Sequence, residues 1–179
     1  MTDKFDFSHL KGHKLISESP ERDYYLAIHE AGHAVASAVL DLGLQVVTIE
    51  PPDETRLGFK TIGLTVSLPS AVTDEQRLIL SACGILAEIK AKTGEIAFTL
   101  FDGLPEILFR GEDDLAEIEK LLTRWEVTKT DSGEATLIEA SRLVTNYWDT
   151  IVVVAHHLLE SGTLLGADVR ETIELMKHT

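Results

Sequence analysis

The chain has 179 residues, 44% hydrophobic and 26% charged, which is enough length to bury one core and a composition that excludes a disordered chain. Its 30 acidic against 16 basic side chains give a formal net charge of −14, a field that repels phosphate backbones, so no nucleic-acid partner is expected. The single cysteine, Cys83, excludes an internal disulfide and any multi-cysteine zinc site; it reads as a small buried helix residue.

No internal repeat or domain boundary interrupts the chain. Residues 1–19 show no hydrophobic period and are expected to form an arm ahead of one domain over 20–179. "Ser19-Pro20-Glu21" predicts a helix start: serine as N-cap, proline at the first position, and Glu21 and Asp23 in the first turn. The helix is expected over Pro20–Leu42, stopped by Gly43. Two β-branched runs, "QVVTIE" (Gln45–Glu50) and "KTIGLTVSL" (Lys60–Leu68), predict strands of a small sheet around a proline- and glycine-containing turn. Thr73 with Gln76 is a capping-box signature ahead of a second helix, "LILSACGILAEIKAK", ended by Gly94.

The stretch "IAFTLFDGLPEILF" does not decide between strand, short helix and loop. A third helix is expected from "GEDD" through "LAEIEKLLTRW", a fourth from about Glu134 to Leu159, and a last over "DVRETIELMKH". Along the fourth, Leu137, Ala140, Val144, Trp148, Ile151, Ala155 and Leu158 recur at three- and four-residue spacing, the stripe of a core-facing helix. The fold class expected is mostly α (α+β): a helical bundle with a small sheet or ribbon at the edge of its functional site. The apolar runs "LILSACGILAEI" and "IVVVAHHLL" fall short of a membrane span and "MTDKFDFSHLKGHK" has no apolar signal segment, so a soluble, cytoplasmic protein is expected.

The first helix carries the chemistry. His29 and His33 are one turn apart on one helix face and can share an ion, while Glu30 can reach a water bound to that ion. This is the H-E-x-x-H arrangement, in which zinc keeps one position open for water and the glutamate serves as general base. Composition alone produces the pattern in roughly three of a hundred such chains, so its setting in the middle of a capped helix adds weight. Ala31, Gly32 and Ala34 are small and are expected to leave room for substrate.

A third ligand has to come from elsewhere. The extended motif with a further glycine and histidine is absent, since Ala36 and Val39 stand at those positions. Glu50 and Glu54 fall in the strand and turn region, which disfavours a glutamate from a second helix. The acids at the start of the third helix are also explained as partners of the helix dipole. His156 and His157 are adjacent, point about 100° apart on a helix and read as core-edge or surface residues. His9, His13 and His178 receive no role.

In these residues the chain resembles the zinc peptidase domain of the FtsH family of ATP-dependent proteases. "HEAGHAV" is similar to the family's zinc helix, "VVTIEPP" with "LGF" to its next strand and turn, and "SACGILAEI" to its conserved helix. "GEDDLAEIEKLL" resembles the segment carrying an aspartate ligand, and "LLESGTLLGADV" the C-terminal helices. The resemblance runs from about Tyr24 to the C-terminus, making 20–179 a zinc peptidase-like domain. It implies Zn2+ held by His29, His33 and Asp114, with Glu30 as the catalytic base. Asp113, then Glu112 and Glu117, stand as alternatives to Asp114, and Glu88 as an acceptor that fixes a ligand imidazole.

Family members join this domain to a membrane anchor and an ATPase; the chain has neither a phosphate-binding loop nor a span. The function expected is a soluble zinc metallopeptidase that cuts peptides or unfolded segments, working alone or with an ATPase unfoldase in trans, with the substrate laid along the sheet edge. The acidic, proline-containing "IEPPDETRLGF" and the long "GEIAFTLFDGLPEILF" leave its peptide preference open. The alternative is a zinc-stabilised binding or adaptor module without proteolysis, and a third reading is a helical domain without metal. Oligomeric state is not specified.

Overall fold

A computed structural model describes residues 19–50, 64–67, 72–96, 112–128 and 132–178. The N-terminal arm with His9 and His13, the turn region with Glu54, the beginning and end of the second expected strand, and most of "IAFTLFDGLPEILF" lie outside the described residues.

Six helices and three short strands follow one another in the described residues: α1 (Pro20–Val39), β1 (Leu44–Thr48), β2 (Leu64–Ser67), α2 (Asp74–Thr93), α3 (Glu112–Thr128), α4 (Ser132–Asn146), α5 (Trp148–Ser161), β3 (Thr163–Leu165) and α6 (Gly166–Met176). The fold is mostly helical with a small antiparallel sheet, as the periodicities predict. Among the described residues no helix is long and apolar enough to cross a membrane.

Helix α1 begins where its sequence says. The Ser19 hydroxyl accepts the Arg22 N–H at 3.3 Å, and Pro20 occupies the first turn. It ends three residues earlier than expected. Asp41 adopts the left-handed conformation (φ 54°), the Asp41 N–H donates to Ala38 O at 3.2 Å and the Leu42 N–H to Ser37 O at 2.9 Å. These two bonds form a Schellman closure with aspartate where glycine is usual; a short polar side chain tolerates that conformation. Gly43 therefore lies beyond the stop. Helix α2 has the expected reciprocal cap, Gln76 N–H to Thr73 Oγ1 at 3.2 Å and Thr73 N–H to Gln76 Oε1 at 3.0 Å, and closes at Gly94 in the left-handed region (φ 82°).

α1 lies at the centre, packed against α2, α5 and the sheet, and α2 packs in turn on α3 and α4. Fully buried aliphatic side chains from all six described helices, including Ile28, Leu78, Ile118, Val144, Ile151 and Val169, form one core. Each contributes about 1.5–3 kcal/mol by leaving water. α1 and α2 run antiparallel: His29 meets Glu88, Gly32 meets Cys83 and Ala87, and His33 meets Leu80 and Gly84. Ala31 and Ala34 are fully buried, and a Cβ on Gly32 would lie 2.7 Å from the Cys83 carbonyl oxygen. Gly32 therefore lets α1 and α2 approach closely, and the two alanines are enclosed in the core. The three do not leave room for substrate, which corrects the reading of the sequence.

Two further differences concern the C-terminal half. The single helix expected from Glu134 to Leu159 is two, α4 and α5, interrupted at Tyr147 (φ −108°, ψ 19°). The hydrogen bonds from Tyr147 N–H to Leu143 O (3.0 Å) and from Ile151 N–H to Tyr147 O (2.8 Å) continue the helical ladder on both sides. The buried stripe Ala140, Val144, Ile151, Ala155 and Leu158 thus passes through the break, and periodicity does not reveal it. The sheet also has a third strand, β3, giving the order β2-β1-β3 with β1 central and antiparallel to both neighbours.

Candidate metal centre

The middle of α1 delivers His29, Glu30 and His33 as buried polar side chains in an otherwise apolar stretch. His29 Nε2 and His33 Nε2 lie 3.0 Å apart. Asp114, half-buried in the first turn of α3, brings Oδ2 to 3.1 Å from His29 Nε2 and 3.2 Å from His33 Nε2. Among the described residues these three form the group arranged to hold a metal ion. The neighbouring acids do not share this position: Asp113 is exposed, Glu117 pairs with Lys120 at 2.7 Å, and the side chain of Glu112 lies outside the described residues.

The outer ring nitrogens explain why the inner ones converge. His33 Nδ1 is 2.8 Å from Leu80 O, a carbonyl that can only accept, so the Nδ1 proton is fixed there. His29 Nδ1 is 3.2 Å from Glu88 Oε2, so that carboxylate accepts the second Nδ1–H. Glu88 is almost completely buried and its other oxygen is 2.5 Å from Lys92 Nζ. In the neutral rings both Nε2 atoms then carry lone pairs and face the Asp114 carboxylate. Three acceptors within about 3 Å of one another repel unless a proton or a cation lies between them.

The proton affinities express the same demand. Burial by itself would lower the pKa of His29, but hydrogen bonds to Asp114 and Glu88 and the charge of Glu30 push it up to about 10. Burial likewise opposes the charge of Asp114 at His33, whose pKa also ends above the ordinary value. Burial would raise the pKa of Asp114, yet the charge of His33 and the hydrogen bonds from both imidazoles hold it well below the carboxylate range. A divalent ion satisfies the same field. Zinc takes nitrogen and oxygen ligands at about 2.0–2.1 Å, which sets tetrahedral ligands roughly 3.3 Å apart, close to the separations here. Two imidazoles and one carboxylate leave a coordination position open.

Glu30 is not part of the ligand triangle. Its Oε2 accepts a hydrogen bond at 3.0 Å from the hydroxyl of Thr65 on β2. Among the described residues β2 is an outer strand of the three-stranded sheet, so the carboxylate beside the triangle is tied to that strand. Thr65, the Leu80 carbonyl, Gly84 and Lys92 are neighbours that the sequence did not single out. Glu88 and Lys92 have a legible signal in their i,i+4 spacing on a helix. A Cβ on Gly84 would lie 2.5 Å from His33 Cε1, so glycine makes room for that ring.

Cys83 is fully buried with Sγ 3.8 Å from Ala140 O, and burial pushes its thiol up to about 12. His156 is half-buried with its ring 6.3 Å from that of Tyr24, while His157 and His178 are exposed. Compared with models of known protein families and with curated proteins, the chain matches none.

Proposed function

We propose that the chain is a zinc-dependent metallopeptidase, with His29, His33 and Asp114 as metal ligands and Glu30 as general base. The observation that carries this reading is the position of Glu30: a buried carboxylate next to three converging ligand atoms, bonded to the outer strand of the sheet. The ligand set alone also suits ferrous iron. An adjacent carboxylate outside the ligand triangle favours hydrolysis, which needs a group to accept and return a proton.

Zinc bound at this centre supplies Lewis-acid polarisation of a peptide carbonyl and a water of lowered pKa. Glu30 takes a proton from the attacking water and returns it to the departing amine. Thr65 holds one oxygen of that carboxylate and leaves the other for the proton. Among the described residues β2 has no strand on its outer side, and an extended peptide laid there as an added strand would run beside Glu30. Substrates are therefore peptides or unfolded segments, the latter supplied by a partner ATPase where the protein is folded. The buried free thiol of Cys83 fits a reducing, cytoplasmic setting.

The test is metal analysis of the purified chain combined with a peptide-library assay of wild type and Glu30→Gln. Stoichiometric zinc in both, with cleavage by wild type alone, is the expected result. Zinc in both with cleavage by neither would replace the peptidase with a zinc-stabilised binding module. Absence of bound divalent metal after zinc supplementation would remove the metal centre itself.

A further inference from the structure

Glu88 and Lys92 are four residues apart on α2, and such pairs are usually solvated helix-surface contacts of little consequence. This pair differs in three respects. Glu88 is 1% exposed and the Lys92 side chain 12%. One Glu88 oxygen meets Lys92 Nζ at 2.5 Å while the other meets His29 Nδ1 at 3.2 Å. Lys92 Nζ also lies 5.0 Å from the ring centroid of Tyr25, which precedes His29 by one turn on α1. The lysine thus ties its own helix to α1, the helix that carries both histidines, and its place in the last turn of α2 is one a helix favours for a cation.

We propose that Lys92 is a positioning residue for the metal centre, acting through Glu88 on His29; this rests on the reading of the triangle as a metal site. A glutamate side chain has three torsions, and a partner at each oxygen restricts the turning of its carboxylate. Lys92 at Oε1 and His29 at Oε2 fix both ends, so the acceptor stays aimed at Nδ1 and the imidazole presents Nε2 to the metal. Lys92 also supplies the positive partner that a carboxylate withdrawn from water requires. A group hydrogen-bonded to a ligand imidazole, the place Glu88 takes, typically changes metal affinity about 10- to 100-fold when it is lost.

The experiment measures zinc affinity of the full chain by competition with a chromophoric chelator, a readout independent of hydrolysis. Lys92→Met is expected to weaken zinc binding about 10-fold or more, with Lys92→Arg recovering affinity to within about threefold of wild type. Glu88→Gln is expected to weaken binding similarly, and the double variant Lys92→Met/Glu88→Gln to be no weaker than Glu88→Gln alone. Lys92→Gln, which removes the charge at a partly accessible position, gives the same reading should Lys92→Met not fold, with a loss of at least about threefold. Wild-type-like affinity in the neutral variants, or losses that multiply in the double variant, would overturn the proposal while leaving the peptidase reading intact. Zinc binding without peptide cleavage by wild type would overturn the peptidase and still decide the role of Lys92. No zinc binding by wild type would overturn both.

Discussion

Thr65 Oγ1 lies 3.0 Å from Glu30 Oε2, joining the outer strand of the sheet to the middle of the central helix. The bond restricts the carboxylate proposed to transfer the proton, and it does so from the strand proposed to hold the peptide. Thr65→Val keeps the shape and removes the donor. Expected is a fall in kcat of about tenfold, with zinc content unchanged and activity largely kept in Thr65→Ser. Steady-state kinetics with a cleaved library peptide checks this; an unchanged kcat in Thr65→Val would remove Thr65 from the machinery.

Gly84 faces His33, and a methyl group there meets the imidazole. The ring is buried and held at the Leu80 carbonyl, so it has to shift against close packing, a cost of about 1–3 kcal/mol offset in part by the better helix propensity of alanine, about 1 kcal/mol. Gly84→Ala is therefore expected to lower the melting temperature by a few degrees and to bind zinc at least about tenfold more weakly. Thermal melts and chelator competition on the same sample separate the two effects. Wild-type zinc affinity would show that the ring does not need this space.

Gly32 has a different obstacle. Its added Cβ would meet the Cys83 carbonyl oxygen at 2.7 Å and Ala87 Cβ at 3.0 Å, so the backbones of α1 and α2 would have to separate. Overpacking of this kind costs about 1–3 kcal/mol, and in a chain of this size Gly32→Ala is expected to lower the melting temperature by roughly 2–4 °C for each of them. Calorimetry of the metal-free protein checks this; a variant as stable as wild type would mean that the helix interface yields.

The protonation equilibria predict opposite pH responses with and without metal. In the metal-free chain His29 and His33 bind protons more tightly folded than unfolded. Their contribution is complete below the ordinary histidine value of 6.5 and is lost as the pH rises, for His29 toward about 10. Asp114, with a depressed value, contributes fully above 3.8 and loses that contribution as the pH falls. Metal-free stability from these groups is thus greatest between about 4 and 6.5 and declines through neutrality. Zinc requires unprotonated imidazoles, so the rise in melting temperature it produces is expected to grow from pH 6 to about 8. Melts in chelator and in excess zinc across this range test both limbs; a zinc effect independent of pH would argue against imidazole ligation.

Much of the site was legible because it follows local rules. The His29–His33 spacing and the caps of α1 and α2 depend only on helix geometry and on neighbours within four residues. Spacing did not decide between Asp113 and Asp114, because the facing acid depends on the phase at which α3 begins against α1, a tertiary property. The break at Tyr147 left no mark because the helical hydrogen bonds and the buried stripe pass through it. β3 is three residues long, too short for an alternating pattern to register. Ala31, Gly32 and Ala34 were misread because small residues serve a cleft and a closely packed interior equally well. Gly43 was misread as the stop because aspartate does not announce a left-handed cap as glycine does.

His29 and His33 stand 85 and 81 positions before Asp114. An ion gripped by all three acts as a removable crosslink over a loop of that length, and closing such a loop restrains the unfolded chain by on the order of 4 kcal/mol. With zinc in the proposed site, chelation would remove the tie between α3 and α1 as well as the metal. The survival of the protein in a cell would follow the local supply of metal.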